Sequence, residues 1–176
     1  GQGYYFRPAC ESRYASDTYI GARLVHDSVP PPTQARFIAR ADEVLDTKTH
    51  LIWRRCPEGM VWQGQTCSGT PWNPYWIYIF GHAKTVARET GLPWRVPNIK
   101  ELESLVQRDR DPMIDSTVFP NTETTPFPHA MDTFWSSTSW GRYGGIFSVD
   151  FKRGHAEQES RSEDNLSKLR LVRDED

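Results

Sequence analysis

The sequence predicts an α+β domain: two helices packed on short, mostly antiparallel strands with long irregular loops. Three observations carry that expectation. Helical periodicity is confined to two segments, one starting near Pro74 and one at Asn98, while the remaining apolar runs are short and rich in β-formers. The helices come early among many strands rather than in β-α-β-α alternation, which disfavours a doubly wound sheet. Finally, seven Trp, seven Tyr and eight Phe in a chain whose hydrophobic fraction is 37 % call for an aromatic-heavy core under a polar surface, because disordered chains are poor in aromatics.

A length of 176 residues is the usual range for one domain. Residues 1–35 differ from the rest. They open on Gly1-Gln2-Gly3 and the aromatic cluster Tyr4-Tyr5-Phe6, and end near Pro30-Pro31-Pro32, a run that favours extended backbone and excludes helix. They are expected to form a partly extended arm or leader, with the domain proper at 36–176. From Phe37 the signals sharpen. Glu43–Asp46 and His50–Arg54, separated by Thr47-Lys48-Thr49, read as a hairpin whose second strand runs into Cys56. Asn73 is placed to cap a helix beginning at Pro74; Trp76, Ile79, Phe80, Ala83 and Ala87 recur at helical spacing, and Gly91 is placed to end it. Trp94-Arg95-Val96 reads as a short strand. Asn98 and Glu101 then make a capping box for a second helix with Leu102, Leu105 and Val106 on one face. Residues 111–133, punctuated by four prolines, form a long irregular loop. Strands follow at Phe134–Thr138, Gly145–Phe151, His155 to about Ser160 and Leu169–Val172, with a turn at Lys152-Arg153-Gly154. The chain has no internal repeat.

A formal charge of −2 gives no global basic field for nucleic acid or an anionic membrane, so any anion site must be a local patch. The longest apolar run, Trp76–Phe80, is far short of a membrane span. Cys56 and Cys67 enclose a glycine-containing segment that can return one thiol to the other. A disulfide there would contribute about 2–3 kcal/mol in the chain-entropy model and suit an oxidising compartment; the alternative is two free buried thiols. Cys10 is left over. No Cys or His pair has the short spacing of a structural zinc site.

A series of ordered blocks resembles those of a known family. Leu51-Ile52-Trp53-Arg54-Arg55-Cys56 is similar to its opening motif, Gly59 through Gly69 to its Gly-Trp-Gly-Cys-Gly loop, and Trp94-Arg95-Val96-Pro97-Asn98-Ile99-Lys100-Glu101-Leu102 to its most recognisable signature. Ile114-Asp115 with Phe119-Pro120-Asn121-Thr122, Trp135-Ser136-Ser137-Thr138 and Val149-Asp150-Phe151 follow in family order, over about residues 36–173. The family is the Lcl C-terminal domain of secreted and surface proteins of bacteria. The resemblance implies a C-type-lectin-like fold and a secreted, periplasmic or cell-surface location. Its best-known member, part of a collagen-like adhesin, binds sulfated glycosaminoglycans and forms trimers. In two respects this chain departs from the pattern: Leu171 stands where many members have a cysteine, which removes a possible partner for Cys10, and residues 1–35 lie outside the match.

The motif residues also have direct physical readings. Trp53, Trp62 and Trp94 are expected to be structural, as are Pro97, Asn98 and Glu101, which set the second helix start. In Trp135-Ser136-Ser137-Thr138, Trp135 and Ser137 would share one face; the serines could meet a sugar, though cross-strand pairing is the plainer role. The five histidines are scattered and no nucleophile elbow is present, so no catalytic residue is assigned. Chemistry like that of the formylglycine-generating enzymes would need the Cys56/Cys67 pair as reactive thiols. Calcium-dependent sugar binding would need convergent oxygens that the sequence does not place together. No metal and no cofactor is expected.

Surface recognition remains. Trp140-Gly141-Arg142-Tyr143-Gly144-Gly145 is an aromatic, basic, glycine-rich loop, and Lys152-Arg153-Gly154-His155 is a basic turn. If they converge with Trp135, then Trp135, Trp140, Arg142, Tyr143, Lys152, Arg153 and His155 would make a small anion-tolerant sugar site. The bland reading is of ordinary turns with polar tips. The function expected is non-catalytic binding of a glycan or other surface ligand. The alternative is docking to another protein of a surface appendage or secretion assembly, with residues 1–35 available for self-association.

Overall fold

The computed structural model describes residues 35–122, 133–141, 144–159 and 166–175. The arm expected at 1–35, Cys10, most of the second half of the 111–133 loop, and Arg142 and Tyr143 therefore lie outside the described residues, apart from Ala35 itself.

Among the described residues the domain is α+β, with small antiparallel sheets and two helices. Strands β1 (Phe37–Arg40), β2 (Glu43–Asp46) and β3 (Leu51–Arg54) form a meander, and β9 (Val172–Asp174) pairs with β3, giving the order β1-β2-β3-β9. The expected β2–β3 hairpin is present, with Val44 opposite Trp53. Strand β1 is an addition; its pattern of one buried and two exposed residues is too short to read as a strand. A hairpin of β4 (Met60–Trp62) and β5 (Cys67–Gly69) follows, then α1 (Trp76–Thr90), α2 (Ile99–Ser104) and a second meander of β6 (Thr133–Trp140), β7 (Gly145–Asp150) and β8 (His155–Glu159).

Helix α1 starts later than its sequence signal. Its N-cap is Tyr75, which makes no side-chain capping bond, and the Asn73 amide donates instead to Pro71 O at 3.4 Å. Ile79, Ala83 and Val86 form its buried stripe, so Phe80 turns outward. Gly91 ends it in the left-handed region as expected. The capping box of α2 is complete: Asn98 accepts from the Glu101 amide at 3.0 Å and Glu101 accepts from the Asn98 amide at 2.7 Å. Arg95 donates twice to the same Glu101 carboxylate, and these bonds raise its pKa above the ordinary arginine value despite burial. The Trp94–Val96 strand is reduced to a single bridge, Arg95 to Val172.

The four-stranded sheet separates two cores. On one face Val44, Trp53, Leu102, Leu105, Phe119, Phe134, Val149 and Phe151 pack together, with Phe134 and Phe151 edge to face at 5.4 Å. On the other, Ile79, Ala83, Trp94, Trp135, Ile146, Leu169 and Leu171 pack under α1. Period-two alternation along β3 follows from this, since Leu51 and Trp53 enter the first core while Ile52 packs against the second. The C-terminal segment alternates likewise. Leu169 and Leu171 enter the second core, whereas Arg170 and Val172 face the first. Lys168 makes a parallel bridge to Phe134 and Leu171 O accepts the Arg54 amide at 3.0 Å, so this one segment ties the two sheets together. The expected Leu169–Val172 strand is thus displaced: its first half connects the sheets and only Val172–Asp174 is ladder.

Candidate functional site

The β4–β5 hairpin is built by covalent and backbone constraints. Cys56 and Cys67 are bonded, 11 residues apart in sequence. Gln63 N donates to Thr66 O to close the tip, and Asn121 Oδ1 accepts from Thr66 Oγ1 at 2.8 Å and from Cys67 N at 3.1 Å. Gly59 has φ +86°, and a Cβ there would stand 2.7 Å from both Thr70 O and Trp72 N, so the close chain crossing needs glycine twice over. Glu58, buried beside it, meets His82 of α1 at 2.6 Å, and the imidazole packs on Trp72 with ring centroids 4.6 Å apart.

Between this hairpin and the β1–β2 turn lies a groove of about 340 Å³. Met60, Val61 and Trp62 supply an apolar wall; Ala41, Asp42, Arg54 and Glu58 supply the polar side. Asp42 and Arg54 pair at 3.2 Å, and the Arg54 guanidinium lies 5.0 Å from the Trp94 ring. Arg55 covers part of Trp62, 3.5 Å from its ring centroid, and donates to Val118 O at 3.1 Å and Ala41 O at 3.3 Å. Partial desolvation in this position lowers the pKa of Arg55.

Beneath the groove, Arg170 is fully buried. It donates to Arg54 O at 2.7 Å, to Arg55 O, and to Thr122 Oγ1 at 3.3 Å, between the rings of Phe119 and Phe134. Burial pushes its pKa down to about 9, opposed by the charge of Glu58. This cation pins the carbonyls of Arg54, which lines the groove, and of Arg55, which covers Trp62. A second depression of about 400 Å³, at Thr49, Asn98 and Lys100, is wide open and has no aromatic wall.

Of the residues predicted as a site, Arg142 and Tyr143 lie outside the described residues, and Trp135, Trp140 and the Lys152–His155 turn are placed apart. Trp135 belongs to the core: it is fully buried and its indole N–H donates to Pro74 O at 2.8 Å, so it has no surface to offer a ligand. Trp140 is exposed at the end of β6, opposite Gly145, where any Cβ would overlap its indole. Lys152, Arg153 and His155 lie at the other end of β7, about 17 Å away by strand geometry. That turn is charge-compensated, with Arg153 3.6 Å from Asp150 and 3.8 Å from Glu157, and His155 2.8 Å from Glu157. Ser136 donates to Phe147 O rather than to a hydroxyl, and Thr138 Oγ1 accepts the Ile99 amide. Trp53 and Trp94 are buried as expected, whereas Trp62, read as structural, lines the groove. Asp42, Arg54 and Arg55 were not singled out; the faint signal for them was Trp62 itself, a large ring in a tip sequence too polar to bury it.

Among the described residues, no group of three or more His, Cys, Asp or Glu side chains could hold a metal ion, and no helix is long and apolar enough to cross a membrane. The family model of the Lcl C-terminal domain matches residues 42–173. The chain belongs to the Lcl C-terminal domain family. No curated protein and no solved structure matches it. Family membership together with the Cys56–Cys67 bond points to an extracellular or surface protein.

Proposed function

We propose that this Lcl C-terminal domain is a non-catalytic recognition module of a secreted or surface protein, on a C-type-lectin-like scaffold, and that it binds glycans in the groove beside the disulfide hairpin. One observation carries the reading: an indole held in place by Arg55 faces a groove whose opposite side is an exposed carboxylate–guanidinium pair. Aromatic walls with a few oriented polar groups suit sugars. Support for a binding rather than a catalytic role comes from the bonded Cys56 and Cys67, which leave no thiol pair there for oxidation chemistry. A glycan array read with the full chain tests it. Reproducible capture of at least one glycan class, reduced in Trp62→Ala, is expected; uniform absence of capture sinks the proposal.

A second reading is favoured by the start of α1, where Ile77, Tyr78 and Phe80 are exposed together with the N-cap residue Tyr75, whose ring meets that of Tyr78. Large apolar groups exposed close together in sequence suit docking to another protein of a surface assembly. Light scattering and pull-down with Tyr78→Ser would separate it from glycan binding, because that substitution leaves the groove untouched.

A further inference from the structure

Resting on the glycan reading, we infer that the groove takes an uncharged saccharide, with adjacent ring hydroxyls on the Asp42–Arg54 pair and the apolar face of the sugar against Trp62. The charge of the groove argues for this. Arg54, the guanidinium among its lining residues, is already paired with Asp42 at 3.2 Å, and the second carboxylate of the lining, Glu58, is buried against His82. A sulfate or uronate accepting from Arg54 would sit beside the Asp42 carboxylate, 3.2 Å from that guanidinium, a like-charge contact that costs more as water is excluded. The neighbouring cations offer no rescue. Arg55 is committed to Trp62 and backbone carbonyls, and Arg170 lies buried below.

An uncharged diol meets no such repulsion. Asp42 Oδ2 accepts and Arg54 Nη1 donates, 3.2 Å apart, so one hydroxyl can donate to the carboxylate while its neighbour accepts from the guanidinium, matching the spacing of adjacent hydroxyls on a ring. Both groups reach solvent, with side chains 57 % and 25 % exposed for Asp42 and Arg54, so they can be approached without rearrangement. The opposite wall is also set in advance. Arg55 fixes the Trp62 ring, and Arg170 fixes the backbone carrying Arg54 and Arg55, which lowers the ordering cost of binding.

The experiment immobilises neutral gluco-, galacto- and manno-oligosaccharides beside heparin, and measures binding of the full chain at low and high salt. Calorimetry follows on the best neutral binder and on its deoxy analogue lacking one hydroxyl of a neighbouring pair. The expected result is capture of a neutral oligosaccharide that salt does not weaken, with affinity reduced about tenfold or more by Trp62→Ala and by Asp42→Asn, and largely kept by Trp62→Phe. The deoxy analogue should bind as weakly to the native chain as the parent sugar binds to Asp42→Asn. Asp42 is exposed, so that variant keeps the fold, which circular dichroism verifies. Binding confined to heparin and abolished by salt overturns this inference while leaving glycan recognition standing. Neutral binding unchanged in both variants overturns the groove as its site. No binding of either class removes both.

Discussion

Replacing both bonded cysteines, as Cys56→Ala with Cys67→Ala, isolates the contribution of the hairpin staple. The bond closes a loop spanning 11 positions of sequence. Loop-closure entropy in the chain-entropy model then stabilises the fold by about 3 kcal/mol. Noncovalent ties at the same place survive the change: the β4–β5 ladder, the two bonds to Asn121, and Trp72 N to Glu58 O at 2.7 Å. The double variant should therefore fold with native near-ultraviolet circular dichroism and melt roughly 6–12 °C lower, the usual conversion for a domain of this size. Its urea midpoint should fall with little change in slope. Native protein treated with reductant should show the same drop, since both manipulations remove the same constraint. A shift of only a degree or two would refute the loop-entropy account. Complete loss of the fold would refute it from the other side, showing the hairpin to have no independent hold.

Other substitutions test separate links. Gly59→Ala, which meets both a left-handed φ and two backbone atoms at 2.7 Å, should cost about 2–4 kcal/mol by chemical denaturation, whereas alanine at the open and exposed Gly81 inside α1 should gain about 0.4–1 kcal/mol. Trp135→Phe keeps most of the core volume but strands Pro74 O, so about 1–3 kcal/mol of stability should be lost with glycan binding intact. A selective loss of binding would instead return Trp135 to the ligand site. Glu159 is held above its ordinary pKa by desolvation, with the Ser148 hydroxyl opposing and Glu157 adding to the shift. A carboxyl raised in the folded state binds more protons there than in the unfolded chain, so its stabilising contribution is complete below its unfolded pKa and is lost as pH rises through the folded one. Glu159→Gln should therefore gain stability relative to the native chain as pH is raised from the acid range to neutrality; a pH-independent difference would contradict the assignment.

Much of the scaffold was readable because its signals are local. The Asn98–Glu101 capping box, the left-handed Gly91 stop and the β2–β3 hairpin each depend on residues a few positions apart. The failures arose where a local rule met a tertiary competitor. Asn73 has the chemistry of a cap, yet its amide is used on Pro71 O and the helix begins at Trp76. Phe80 keeps the helical period, but the buried stripe is carried by Ile79, Ala83 and Val86, which leaves it outside. Trp135 and Trp140 share an eight-residue strand, and β6 puts one in the core and the other at the rim.

The α+β class, the family, the Gly91 stop of α1, the capping box of α2 and the spacing from which a Cys56–Cys67 bond could be expected are all written in the sequence. Each is a property of neighbouring residues or of ordered motifs. Tertiary packing set the surface features. It put Trp140 and the Lys152–His155 turn at opposite ends of β7. It built the groove lined by Asp42, Arg54 and Trp62, resting on an arginine 116 residues from Arg54 in sequence. A groove of this kind belongs to no single segment: its shape and charge come from side chains that meet only after the two cores have packed, and no local periodicity records that meeting.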